Sequence, residues 1–291
     1  MLEDRVPLET VTTIADLRRR LLEPRQAGRS IGLVPTMGFL HRGHATLVDR
    51  AREGNDVVVV SVFVNPLQFG PNEDYARYPR DLDADRKLLA EHGADIVFAP
   101  SVEEMYPRPV ATHIEVEGLS ARLEGERRPG HFRGVATVVG KLFNLVQPTR
   151  AYFGEKDYQQ LQVIRRMVAD LSFPLEIVGV PTVRDADGVA LSSRNVYLSP
   201  AERAAAPVLS RSLAAAAEAI AAGTVDSLEI EAVIRRTLAA EPLAEPDLVA
   251  VAAADTLDSV DPHAPPPAIA LMIAVRIGRT RLIDQRVVAV S

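Results

Sequence analysis

Residues 57–64, Val-Val-Val-Val-Ser-Val-Phe-Val, are apolar except at Ser61. A strand with one wet face alternates apolar and polar side chains, so an unalternating run needs cover on both faces. Helices supply that cover when strands run parallel and are joined by crossovers. Similar short apolar runs occur at 31–34, 95–98, 151–153 and 175–180. Between them lie helical patterns near 44–53, 82–92, 134–146 and 158–170. The rhythm predicts an α/β, Rossmann-like, doubly wound parallel sheet over residues 1–182. Ligands of such sheets bind beyond the carboxyl ends of the strands. His41, Asn65, Gly154 and Pro181 each follow a strand pattern and are expected at that edge.

The pattern changes after about Val183. Ser199-Pro-Ala-Glu202 reads as a capping box with Pro at the first helical position. It predicts a helix to about Ala222, then a second over 227–240 and strands near 248–253, 268–276 and 280–288. This is the pattern of a smaller C-terminal α+β domain over 183–291. No apolar run is long enough to span a bilayer. Met-Leu-Glu-Asp-Arg is acidic where a signal peptide would be basic, so a cytoplasmic protein without membrane partners is expected. The chain has no cysteine, which excludes a disulfide, a thiol nucleophile and a Cys-ligated metal. Its formal net charge of −6 argues against a nucleic-acid partner. Positive charge for an anionic ligand must therefore be gathered locally.

Several segments carry candidate chemistry. His41-x-Gly43-His44 stands where a strand gives way to a helix. Two imidazoles at a helix N-terminus suit a nucleotide phosphate, and Gly43 allows close approach to the backbone. Two ordinary histidines, or half of a zinc site lacking further ligands, fit the spacing as well. Gly154-Glu155-Lys156-Asp157 stands at a second strand exit and holds one of only three lysines. An ammonium suits a phosphate oxygen, and Asp157 in a solvated turn is the alternative. Leu191-Ser192-Ser193-Arg194 reads as a phosphate clamp in a mobile connection or as a plain loop. Gln68 and Gln160 are neutral amides able to hold a small hydroxy acid, or to cap loops. Asp81, Asp83 and Asp85 could approach Mg2+ or form the acidic first turn of a helix. Residues 124–134, charged and Gly-rich, read as a lid or as a solvated loop.

Together these segments resemble the pantoate–β-alanine ligase (pantothenate synthetase) family. The matching stretches are Val34-Pro-Thr-Met-Gly-Phe-Leu-His-Arg-Gly-His44, Phe63-Val-Asn-Pro-Leu-Gln-Phe-Gly70, Tyr78-Pro-Arg80, Arg128-Pro-Gly-His-Phe-Arg-Gly134, Phe153-Gly-Glu-Lys-Asp-Tyr-Gln-Gln160 and Leu191-Ser-Ser-Arg-Asn195. His-x-Gly-His is shared with a wider nucleotidyltransferase superfamily, whereas Asn-Pro-x-Gln-Phe and Gly-Glu-Lys-Asp are more specific. The resemblance implies ATP-dependent condensation of (R)-pantoate with β-alanine through a pantoyl adenylate, releasing AMP and pyrophosphate, with Mg2+ accompanying ATP. It implies ATP contacts at Met37, Gly38, Phe39, Leu40, His41, Arg42, Gly43, His44, Gly154, Glu155, Lys156, Asp157, Val183, Leu191, Ser192, Ser193 and Arg194. It implies catalytic roles for His44 and Lys156, supported by His41, and substrate binding by Gln68 and Gln160. It further implies a homodimer whose second domain acts as a lid.

Overall fold

A computed structural model describes residues 7–71 and 73–290. The acidic segment 1–5 lies outside these described residues. The chain divides into two compact units, one running to Gly154 with Val163–Val180, the other comprising Glu155–Gln162 and the chain from Pro181.

The first unit holds strands β1 (Glu9–Val11), β2 (Ile31–Thr36), β3 (Val57–Val62), β4 (Ile96–Phe98), β5 (Arg150–Gly154) and β6 (Glu176–Val180). All pair in parallel, in the order β1-β4-β3-β2-β5-β6. The four valines that open β3 are all buried, which accounts for the unalternating run. From β2 the chain steps outward through β3 and β4, then returns to β5 on the other side of β2. The carboxyl end of β2 is thus the point where strand order reverses, the usual place for a ligand in such a sheet.

The helices in chain order are α1 (Ile14–Gln26), α2 (Arg42–Gly54), α3 (Leu82–Glu91), α4 (Val102–Met105), α5 (Glu124–Arg127), α6 (His131–Val146) and α7 (Tyr158–Asp170). Both α2 and α6 begin earlier than their apolar patterns indicate, because polar residues occupy their first turns. Besides the four-residue helices α4 and α5, two elements gave no sequence signal. β1 is only three residues long. In α1, Pro24 and a run of arginines hide the buried stripe Leu17, Leu21 and Pro24.

The second unit contains α8 (Pro200–Ala205), α9 (Val208–Ala221), α10 (Ser227–Ala239) and the antiparallel sheet β7 (Ala244–Ala253), β8 (Ala268–Ile277), β9 (Thr280–Ala289). Ser199 Oγ accepts from the Glu202 N–H, and Glu202 Oε2 accepts from the Ser199 N–H, completing the expected capping box. The single helix expected over 200–222 is interrupted. Pro207 has no N–H and its ring crowds the preceding turn, so α8 ends at Ala205 and α9 starts afresh at Val208. Leu213, Ile230, Ile234 and Leu238 pack with Ile269, Leu271, Ile273 and Val275 in one apolar core.

Arg184 reaches Asp284 of β9 through both terminal nitrogens, at 2.7 and 2.8 Å. The Asp284 side chain is only 1% exposed, so its charge depends on that guanidinium. Arg184→Met is expected to lower stability in urea denaturation by about 3–5 kcal/mol, because it leaves a buried carboxylate uncompensated. Adding Asp284→Leu should restore most of the loss, because the double variant buries no charge.

Candidate functional site

The turn between β2 and α2 is defined by its hydrogen bonds. Thr36 Oγ1 donates to the Ser61 carbonyl at 2.7 Å and accepts from the Gly38 N–H at 3.2 Å. Gly38 and Phe39 both have positive φ, +82° and +51°. For Phe39 that conformation costs on the order of 1–3 kcal/mol, so surrounding contacts must impose it. His41 is the N-cap of α2, and the cap is reciprocal. His41 Nδ1 accepts from the Gly43 N–H at 3.1 Å, and His44 Nδ1 accepts from the His41 N–H at 3.3 Å. The two rings lie 4.2 Å apart. A nitrogen that accepts an N–H carries no proton, so each neutral imidazole holds its proton on Nε2. Both histidines therefore present Nε2–H donors at a helix N-terminus, where the dipole also favours an anion. The two plain histidines left open by spacing alone are instead locked into one tautomer.

Gln68 lies in a 3-10 turn, Pro66–Gln68, just beyond β3. Asn65, 1% exposed, orients it. Asn65 Nδ2 donates to Gln68 Oε1 at 3.0 Å and to the Gly134 carbonyl at 3.2 Å. Asn65 Oδ1 accepts from Tyr106 Oη at 2.9 Å and from the Leu67 N–H at 3.3 Å. With its oxygen committed, Gln68 turns its NH2 toward Met37 Sδ at 3.2 Å.

The segment 124–134 is neither a free lid nor a solvated loop. Arg128 grips Glu73 through Nε at 2.6 Å and Nη2 at 2.7 Å, and its Nη1 donates to His131 Nε2 at 3.1 Å. His131 Nδ1 donates to the Gln68 carbonyl at 2.9 Å. Burial first, then the charge of Arg128, pushes the His131 imidazole down to about 4. Burial alone would raise Glu73, but the hydrogen bonds and charge of Arg128 outweigh it and hold its carboxyl below the ordinary value.

The candidate residues of the second unit sit on pinned backbone. Glu155–Asp157 forms a 3-10 turn, with Lys156 Nζ 3.1 Å from Asp157 Oδ2. Gln160, half-buried, follows in the first turn of α7. Residues 183–191 form a small hairpin in which the Leu191 N–H donates to the Val183 carbonyl at 3.0 Å and Arg184 bridges to Ala190. Arg203 ties Asp185 and Asp187 to α8. Ser192 caps the 3-10 turn Ser193–Tyr197 through the Arg194 N–H at 3.3 Å. The connection read from sequence as mobile is therefore fastened within its own unit.

The acidic triplet takes its non-metal alternative. Asp81 caps α3 through the Ala84 N–H, and Asp83 is exposed beside Arg86. Asp85 spends both oxygens on backbone N–H groups of Phe39 and Leu40. Among the described residues no group of three His, Asp or Glu side chains is placed to hold a metal ion, and no helix is long and apolar enough to cross a membrane. Sequence reading did not identify Glu73, Arg128, His131 and Asp85 as positioning groups, because each acts through a partner at least 45 residues away.

Comparison with known proteins agrees with these motifs. The pantoate-beta-alanine ligase family model matches residues 9–287. A pantothenate synthetase of Sinorhizobium medicae is 58% identical over 282 residues, 97% of each chain. The crystal structure of the pantothenate synthetase from Thermus thermophilus superposes with a TM-score of 0.90 at 55% identity, covering 96% of this chain and 98% of that one. A Francisella tularensis pantoate-beta-alanine ligase, solved with beta-gamma ATP and beta-alanine, gives a TM-score of 0.75 at 34% identity over 96% of this chain and 97% of that one.

Two outcomes test the platform under Gln68. A Cβ on Gly134 would lie 2.2 Å from the Leu67 carbonyl oxygen and 2.7 Å from Gln68 Cα. Gly134→Ala must displace the turn, and the affinity of whatever Gln68 holds should fall by about tenfold or more. For His131, the folded value of about 4 lies below the ordinary 6.5. The unfolded chain binds the extra proton between those values, so this group's contribution is full above about pH 6.5 and is lost as pH falls toward 4. His131→Asn keeps a donor for the Gln68 carbonyl and removes the titration. The slope of stability against pH over that window should be smaller in the variant.

Proposed function

The chain belongs to the pantoate–β-alanine ligase family, and from that premise we propose that its reaction runs through an enzyme-held pantoyl adenylate. It is an enzyme, and it condenses (R)-pantoate with β-alanine to pantothenate at the expense of ATP. In the proposed first step a pantoate carboxylate oxygen attacks the α-phosphorus. The bond from that phosphorus to the β-bridging oxygen breaks, and pyrophosphate leaves. In the second step the β-alanine amine attacks the acyl carbon. The acyl–oxygen bond breaks, AMP leaves with the electron pair, and the amine gives up a proton.

The reciprocal cap of His41 and His44 carries this reading. It supplies two Nε2–H donors at the start of α2, without a net charge on either ring. Donors held in place where negative charge develops lower a barrier by roughly 3–4 kcal/mol each. We assign that role to His44 and Lys156, with His41 in support. Met37, Gly38, Phe39, Leu40, Arg42, Gly43, Gly154, Glu155, Asp157, Val183, Leu191, Ser192, Ser193 and Arg194 are assigned to the nucleotide on the family resemblance of their motifs. Gln68 and Gln160 would hold pantoate, with Gln68 also near β-alanine. The Francisella relative, solved with beta-gamma ATP and beta-alanine, supports both ligand classes.

The described carboxylates offer no cage for Mg2+. The ion fits the reaction as one carried by the ATP phosphates and water. The protein is proposed to be a cytoplasmic homodimer. Sedimentation would give its mass.

With ATP and pantoate but no β-alanine, labelled pyrophosphate should exchange into ATP. No exchange under conditions that support full turnover would refute the adenylate route. Lys156→Ala should lower turnover by about a hundredfold or more, and a loss under roughly tenfold would remove Lys156 from its assigned role.

A further inference from the structure

We infer that Asp85 is a positioning residue for ATP: its buried carboxylate fixes the backbone of residues 38–40 and, through it, the placement of His41 and His44. The inference rests on the assignment of residues 37–44 to the nucleotide site. Asp85 is 2% exposed and comes from α3, 45 residues beyond the turn it serves. Its Oδ2 accepts from the Phe39 N–H at 3.0 Å and its Oδ1 from the Leu40 N–H at 2.6 Å. Two successive N–H groups thus converge on one carboxylate, much as a backbone nest converges on a bound anion.

The fit leaves no slack. A Cβ on Gly38 would lie 3.0 Å from Asp85 Oδ2 and 2.9 Å from Val62 Cγ1. Gly38 and Phe39 have positive φ in the conformation that delivers both N–H groups. Burial raises Asp85, and the hydrogen bonds from Leu40 and Phe39 oppose that rise. Because Asp85 occupies these donors, the N–H groups of residues 39 and 40 do not face a phosphate. Asp85 in this way sets which atoms of the turn meet the nucleotide, without itself touching substrate.

The test separates positioning from general stability. Asp85→Asn keeps one acceptor oxygen but sets an NH2 against the other N–H. Its KM for ATP, and its Kd for ATP by calorimetry, should rise by about tenfold or more while the KM for pantoate stays within about twofold. Asp81→Ala removes the N-cap of the same helix and touches neither Phe39 nor Leu40, so it should lower the melting temperature and leave the ATP terms within about twofold. Equal rises in the ATP and pantoate constants, no rise in the ATP terms, or an Asp81→Ala variant matching Asp85→Asn would each overturn the inference. If Asp85→Asn does not fold, hydrogen exchange in the wild type decides: the Leu40 amide should be protected, and free exchange would refute the contact. A wild-type protein that binds ATP but makes no pantothenate would refute the assigned reaction and leave the calorimetric comparison standing.

Discussion

A backbone that turns sharply inside a protein must find partners for its N–H groups, and the residues leaving β2 satisfy theirs almost entirely with side chains. Thr36 takes the N–H of Gly38, Asp85 those of Phe39 and Leu40, His44 that of His41, and His41 that of Gly43. Each acceptor is thereby spent. For the two imidazoles, spending Nδ1 as an acceptor places the ring proton on Nε2. The chemistry of the turn is in this sense a by-product of how its backbone is satisfied.

The adjoining turn after β3 follows the same logic with different parts. Asn65 uses all four of its hydrogen-bonding positions, and the carbonyl of Gln68 is held by His131. His131 stays neutral because it is buried and Arg128 lies against it, and Arg128 is in turn neutralised by Glu73. Charge is present throughout this cluster, yet it is balanced before it reaches the amide of Gln68. An amide kept in a locally neutral setting can bind a carboxylate or a hydroxyl without favouring a proton on either.

What the sequence disclosed was largely local. The buried valines of β3, the Ser199–Glu202 capping box and the segment 41–44 are each contained within a few residues, so period and spacing sufficed. The break at Pro207 is equally local, but the alanines on either side mask it. Asp85 read as helix decoration because its partners, Phe39 and Leu40, lie on another element. The segment 124–134 read as loose because Gly and charge are what loose loops also contain. Its order comes from Glu73 and Gln68, more than 50 residues away. For Lys156 and Gln160 the local pattern offers a ligand role and a plain one side by side, and only the resemblance to a family favours the first.

Asn65 ties together the turn at 65–68, the first turn of α6 and the phenol of Tyr106 with a single buried amide. For anyone reshaping the acid pocket this makes size and rigidity one variable. Replacing Gln68 with a smaller apolar residue would enlarge the space, but it would also leave an Asn65 N–H unanswered in a dry interior. With Gln68 in its proposed role, the choice of acid would be coupled to the way α6 is moored, and a broader pocket would have to be designed from Asn65 outward.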